Sequence, residues 1–395
     1  MRILSIETSC DETSASVVEG NRGMVKILSN IISSQIDIHK KYGGVVPEVA
    51  ARNHILNIVP VIDEALMAAD TDLLPSASFP DKGRHRKGAI DLIAVTGGPG
   101  LMSSLLIGAQ TAETLAYAWR KPLLVVNHIE GHIYANWLKQ VCVYPNPKSQ
   151  ISKPEFPALA LIVSGGHTQL VLMRDHLKYK TIGKTRDDAA GEAFDKVAKI
   201  LGLGYPGGPI ISRIAGEYNR MAVREKMEMA QHFYENKIKL PRPMIDSDNF
   251  DFSFSGLKTA VLYMVRKIES EVSMLETDKH KPRLQKDVIP AICAEFQQAV
   301  TDVLVHKTIK AAKKYKVISV LLAGGVAANN ELRTQLEEAV VKELSDNIIF
   351  SVPEQKLCTD NAAMVGAAAY YRYEKNPKSA KMAQVGMKIN PNWEL

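Results

Sequence analysis

The segment ALALIVSGGHTQLVLMRD, residues 158–175, reads as an apolar strand, a polar turn and a second apolar strand. The same layout opens the chain. RILSIETSCDETSASVVEG, residues 2–20, runs strand, acid-bearing turn, strand, and a GNRG hairpin follows, though the two copies do not match in sequence. A unit that returns in this way implies two halves of common design facing each other across a cleft. In the second copy Gly165 and Gly166 let backbone N–H groups approach a phosphate closely, with Ser164, His167 and Thr168 as polar contacts. An ordinary hairpin turn is the competing reading; the paired copy favours nucleotide binding.

Outward from these copies the chain alternates strands and helices. Residues 90–119 give a strand, a glycine-rich turn and a long helix, and KPLLVVN (121–127) is the next strand, so the order βαβ predicts parallel strands in an α/β fold. Gly97, Gly98 and Gly100 suit either a phosphate cradle at a helix N-terminus or close strand-to-helix packing. Residues 45–69 carry helical periodicity, residues 76–88 read as an exposed loop, and the Pro- and Lys-rich stretch 143–157 reads as the link between two lobes. After the second copy come a helix from about Gly191 carrying Asp195, a GYPGGP loop with Gly207 and Gly208, and a strand–glycine turn–helix over 317–340 with Asn329. Aromatic residues within 231–258 are expected as core positions in short strands rather than as a nucleic-acid stacking surface. Residues 267–286 read as an exposed helical insertion, residues 287–316 as a long amphipathic helix, and Asp360 stands ahead of a small-residue helix.

VVNHIEGHIYAN, residues 125–136, carries the sharpest chemistry. His128 and His132 are four apart, so on a helix they share one side, just past a strand end where α/β proteins place ligands. They either clamp a metal ion or line and cap a helix. Glu130 bears on which kind of metal site this is. In HExxH metalloproteases the glutamate directly follows the first histidine, whereas here it lies two residues from each, a rotation of about 200° away from the histidine face. The pattern suits a ligand holder better than a hydrolytic centre.

At 395 residues and 46% hydrophobic content the chain can bury a core large enough for two lobes. Four well-separated cysteines without a CxxC pair, no leader-like N-terminus and no apolar run of about 18–20 residues lead to the expectation of a cytoplasmic, soluble protein that does not enter membranes. The net charge of +6 is mildly basic. Lys82, Arg84, Arg86 and Lys87 form one cluster, and Lys307, Lys310, Lys313, Lys314 and Lys316 another; each is expected to be a solvated face.

HIEGH, SGGHT, GYPGGP, AGGVAANN and CTDNAAM stand in one order along the chain, with IETSCDET at its start. That set resembles the tRNA N6-adenosine threonylcarbamoyltransferase family (TsaD in bacteria, formerly O-sialoglycoprotein endopeptidase) from Ile3 to about Tyr371. The resemblance implies a two-lobed actin-like ATPase fold, with duplicated ribonuclease H-like halves and a central cleft. Residues 1–150 would form the N-terminal lobe and 151–395 the C-terminal lobe with helical insertions. It also implies transfer of a threonylcarbamoyl group from threonylcarbamoyl-AMP to N6 of the adenosine 3′ of the anticodon, in tRNAs reading codons that begin with A. By motif, His128, His132 and Asp360 would hold one divalent ion per subunit, iron or zinc. Ile162, Val163, Ser164, Gly165, Gly166, Asp195, Gly208 and Asn329 would hold the nucleotide-linked substrate, and Asp11, Glu12 and His167 would face the reaction centre. The implied partners are tRNA, a TsaB-like inactive paralogue and a TsaE-like small ATPase. The rival classes are a sugar kinase or other actin-like-fold ATPase, and a metalloprotease.

Overall fold

The computed structural model describes residues 1–69, 89–138, 153–221, 238–275, 288–345, 347–382 and 386–395. The first half supplies β1 (Arg2–Glu7), β2 (Glu12–Asn21), β3 (Met24–Ser34), α1 (Ile36–His39), α2 (Pro47–Ala68), β4 (Leu92–Gly98), α3 (Met102–Trp119), β5 (Pro122–Asn127) and α4 (His128–Tyr134). The second supplies β6 (Ala158–Val163), β7 (Thr168–Asp175), β8 (Lys178–Lys184), α5 (Ala190–Ile200), α6 (Gly207–Arg220), α7 (Ser255–Leu275), α8 (Ile289–Tyr315), β9 (Ser319–Ala323), α9 (Asn330–Glu343), β10 (Ile349–Ser351), α10 (Ala362–Lys375) and β11 (Lys381–Met382).

The repeat read in the sequence is a repeat of topology. In the first sheet β3, β2 and β1 form an antiparallel meander and β4 and β5 continue it in parallel, with order β11-β5-β4-β1-β2-β3. In the second sheet β8, β7 and β6 repeat the meander and β9 and β10 the parallel extension, with order β10-β9-β6-β7-β8. Two copies of this meander-plus-parallel plan are the duplicated ribonuclease H-like halves of the two-lobed actin-like fold. The central strands β6 and β9 are buried along their whole length, and apolar but for Ser319, because both of their faces are covered.

Placement of α10 follows from its composition. Ala362 to Tyr371 are all buried, and the helix lies on β1, β2, β3, β5 and α4. A Cβ at Gly366 would come within 2.7 Å of Val18, so at this point of contact only glycine lets the helix come so close. One apolar cluster runs from Ile3 and Val18 through Ala363–Ala369 to Ala160 and Ile162, joining the two sheets. The sequence assigned residues 151–395 to the second lobe, yet α10 and β11 return to the first sheet, where β11 pairs with β5. Sequence order does not reveal such a return, because the pairing is long-range.

Other expectations meet the structure unevenly. Segment 76–88, with its basic cluster, lies outside the described residues, as do 139–152 and 276–287; the described part of the expected insertion, through Leu275, belongs to α7. Phe250, Phe252 and Phe254 are core residues as expected. They sit in irregular chain, however, joined to the sheet end by an isolated Thr185–Phe252 bridge. Lys307 is fully buried, not a solvated charge: its ammonium donates to Ser247 Oγ (2.7 Å) and Asn249 O (3.1 Å), clamping that irregular segment. GYPGGP is only partly a loop, since α6 starts at Gly207. The glycines that end β4 and follow it are packing residues: a Cβ on Gly97, Gly98 or Gly100 would strike Val125, Asn390 or Ser9 within 2.5 Å.

Candidate metal centre

Strand β5 passes directly into α4 because Asn127 caps it: its Oδ1 accepts from Ile129 N (2.8 Å) and Glu130 N (3.3 Å). This fixes where His128 and His132 point. Their rings meet edge to face, with centroids 4.6 Å apart. Asp360 arrives from the other end of the chain, immediately before the Asn361 cap of α10. Its Oδ1 lies 3.5 Å from His128 Nε2 and 3.2 Å from His132 Nε2. One donor atom from each of the three residues falls within 4.8 Å of the others.

Two observations fit this trio to a cation. His132 Nδ1 is buried without a hydrogen bond among the described residues, and the buried Nε2 faces only the Asp360 carboxylate, so an ion between them would be ligated by both. His128 is oriented from behind by Glu7, fully buried at the end of β1, whose Oε2 lies 3.1 Å from His128 Nδ1. Glu7 is fixed in turn, accepting from Ser9 N (2.6 Å) and Thr96 Oγ1 (2.6 Å). A carboxylate behind a ligating imidazole sets its tautomer and raises its basicity. Sequence reading passed over Glu7, Ser9 and Thr96; the available signal was a carboxylate closing an otherwise apolar strand.

Electrostatics follow from this crowding. Burial alone would push the Asp360 carboxyl up, but His128 and His132 outweigh it and hold it at about 2. Burial would lower His128, yet Asp360 and Glu7 raise it to about 9. His132 is lowered by burial and by repulsion from His128. His167, on the β6–β7 turn, is pushed down to about 4 by burial and by the other two histidines, so it is neutral at pH 7. Asp11 is nearly buried on the β1–β2 turn. Burial, Asp360 and Asp11 push its neighbour Glu12 up to about 9, which keeps that carboxyl protonated.

The remaining expected residues separate into two groups. Gly165, Gly166 and Gly208 face open space, with nothing within 4 Å of an added Cβ. Asp195 is pushed up by burial while its Oδ1 accepts from Gly207 N (2.7 Å). Ile162 and Val163, by contrast, are core side chains with no exposure. Asn329 spends its side chain on structure: it caps α9 through Leu332 N (3.1 Å) and donates to Gln297 Oε1 (2.8 Å). Glu130 turns away from the metal trio, accepting from Tyr179 Oη and Arg372 Nη2, each at 2.6 Å. With that carboxylate tied up, Glu130 cannot serve as the general base that the HExxH glutamate supplies in a zinc protease.

An actin-like two-lobed fold with a His–His–carboxylate trio and a neutral histidine at the cleft defines a ligand-holding enzyme class rather than a protease. The family model described as "TsaD: tRNA N6-adenosine threonylcarbamoyltransferase" matches residues 26–367. A tRNA N6-adenosine threonylcarbamoyltransferase of Halalkalibacterium halodurans is 45% identical, over 100% of this chain and 96% of its own length. One from Dehalococcoides mccartyi is 48% identical, over 94% of each. Among solved structures, ROK hexokinase from Thermus thermophilus is 14% identical with a TM-score of 0.39, covering 95% of this chain and 100% of its own. HypF from T. kodakarensis is 14% identical with a TM-score of 0.45, covering 95% and 47%. The chain belongs to the tRNA N6-adenosine threonylcarbamoyltransferase family, and it is an enzyme that modifies tRNA.

Proposed function

We infer that this cleft joins the threonylcarbamoyl group of threonylcarbamoyl-AMP to N6 of the adenosine 3′ of the anticodon, in tRNAs reading codons that begin with A. The observation that carries this reading is the convergence of His128, His132 and Asp360 beside a neutral His167 and the acidic turn Asp11–Glu12. An exocyclic adenine amine is a poor nucleophile, so the carbonyl must arrive activated, here as a mixed anhydride with AMP. In the reaction the N6–carbonyl C–N bond forms, the carbonyl C–O bond to the phosphate breaks, and AMP leaves with the electron pair while N6 loses a proton. Asp11 is the proposed acceptor of that proton, and the neutral imidazole of His167 orients the amine. Protonated Glu12 adds no further negative charge where the phosphate must sit.

His128, His132 and Asp360 would hold one divalent ion, iron or zinc, leaving coordination positions open. When bound, such an ion supplies charge stabilisation to the leaving phosphate. Gly165, Gly166 and Gly208 give the donor backbone it can approach closely, while Asp195 stands near its sugar. The contribution of Ile162 and Val163 would be limited to their backbone, and that of Asn329 to holding the glycine turn before α9.

A TsaB-like paralogue would dock on α2 and α3, whose outer faces expose Ile55 (63%), Leu56 (71%), Val59 (59%), Met102 (49%) and Leu106 (41%). A TsaE-like ATPase completes the set of partners. Among the described residues no helix is long and apolar enough to cross a membrane, in keeping with work on tRNA in the cytoplasm. The test is reconstitution with partners, synthetic threonylcarbamoyl-AMP and unmodified tRNA, followed by mass spectrometry of the digested nucleosides. Threonylcarbamoyladenosine and AMP are expected. Their absence, or proteolysis that depends on His128 and His132, would overturn the reading.

A further inference from the structure

A cavity of about 850 Å³ opens beside the metal helix, and of the residues proposed above for the donor only Gly166 borders it. It is bounded by Ile129 at the start of α4, by Gly166–Gln169 on the turn into β7, by Thr181–Thr185 at the end of β8, and by the last residues of the chain. Asp11, Asp195, Gly208 and Asn329 do not line it. Gly166 and His167 belong to both regions: both border the cavity, and His167 feels the charges of His128, His132 and Asp360. The volume lies within the range of about 300–1,000 Å³ typical of small-ligand sites.

The wall that closes this cavity is built, not incidental. Asn390 N donates to Gly97 O (2.8 Å) and Gly100 N to Pro391 O (3.1 Å), so the C-terminal segment adds to the turn after β4. Gly98 has no room for a Cβ because Asn390 O would lie 1.9 Å away. Asn127, the residue that caps the histidine helix, donates its Nδ2 to Trp393 O (3.1 Å). From the other lobe Lys184 Nζ reaches Glu394 Oε1 (3.1 Å). The tail therefore spans both lobes, and it sets a half-buried Trp393 in the cavity wall.

We propose that this cavity receives the acceptor base of the tRNA, an unpaired purine turned out of its loop, and that Trp393 is the surface on which it stacks. The inference rests on the donor placement given above. A two-substrate transfer needs two spaces meeting at one point, and the turn Gly166–His167 is where the donor region and the cavity meet. Single-stranded RNA bases are typically held by stacking on aromatic side chains. Gln169 and Thr181 lie on the cavity lining for the base edge, with the Lys184–Glu394 pair beside them. Trp393 is thus a specificity-determining residue for the acceptor, fixed by the same Asn127 that fixes His128.

The test is steady-state kinetics of the full chain with its partners, varying tRNA and threonylcarbamoyl-AMP separately, for Trp393→Ala, Trp393→Leu and Trp393→Phe. Both Ala and Leu should raise the KM for tRNA about tenfold or more, the scale of one lost base stack, leaving the KM for the adenylate and the metal content unchanged; Phe should restore most of it. An anticodon stem-loop with 2-aminopurine at the acceptor position should show quenched emission on binding the parent chain and not on binding Trp393→Leu. An unchanged KM for tRNA, or a rise confined to the adenylate, would overturn the assignment while leaving the transferase reading intact. A parent enzyme that modifies no tRNA would overturn both.

Discussion

Glu7 and His128, 121 residues apart in the chain, meet through a 3.1 Å hydrogen bond in which the imidazole Nδ1–H donates to a carboxylate with no solvent exposure. That bond leaves Nε2 as the nitrogen aimed at Asp360. Ser9 Oγ lies 3.1 Å from the same Nδ1 and stands on the turn that leads to Asp11. The first strand, the metal helix and the acidic turn are therefore one connected unit. Glu7→Gln keeps the shape but offers a neutral acceptor. It should weaken metal affinity about 10- to 100-fold, measured by chelator competition, with the circular dichroism spectrum unchanged.

Metal binding should release a proton. In the metal-free protein His128 has its pKa raised from 6.5 to about 9, burial being outweighed by Asp360 and Glu7. A raised histidine contributes stability that is present below the unfolded value and lost as pH rises through the folded one. Below about 9 the ion must displace that proton, so metal affinity should climb with pH up to that value and level off above it. Titration calorimetry at pH 7.5 in two buffers of different ionisation enthalpy checks this, and equal heats in both would contradict it.

Glu130 should matter to stability rather than to chemistry. It is fully buried and held by Arg372 and Tyr179, which tie α4 to α10 and to β8. Removing one member of a buried pair strands the other, so Glu130→Ala should lose about 3 kcal/mol in urea denaturation. Glu130→Gln should retain transfer activity at temperatures where it stays folded. Loss of turnover in a folded, metal-loaded Glu130→Gln would instead give this carboxylate a chemical role.

Gly166 separates fold from ligand. No atom lies within 4 Å of a Cβ built there, so Gly166→Val should leave the melting temperature nearly unchanged. If the backbone approaches the donor's phosphate, the same variant should bind a non-hydrolysable adenylate at least tenfold more weakly. Equal binding by variant and parent in calorimetry would move the phosphate site elsewhere.

Leu56 tests the partner face. With 71% of its surface exposed, its replacement by Asp should cost the isolated chain little stability. Co-elution with the paralogue on size-exclusion chromatography should be lost. Undiminished co-elution would free this face from the partner role.

The sequence by itself determined the elements and their repetition, because strand–turn–strand copies and βαβ order are written in local apolar patterns: 2–20 and 158–175 became two meanders of the same topology. It also determined the histidine pair, since i,i+4 spacing on a helix is a local property, and it turned Glu130 away for the same reason. What only the tertiary structure decided depends on contacts between distant residues. Glu7 read as the end of a strand until the parallel pairing of β1, β4 and β5 brought it behind His128. Gly97, Gly98 and Gly100 read equally as phosphate cradle or packing until Val125, Asn390 and Ser9 filled the space beside them. Asn329 and Lys307 each offered polar groups to solvent or ligand on paper, and the fold committed them to Gln297, Leu332, Ser247 and Asn249. The return of α10 and β11 to the first sheet, and the seat of Trp393 beside the metal helix, depend on packing between the two ends of the chain. No local period encodes that packing.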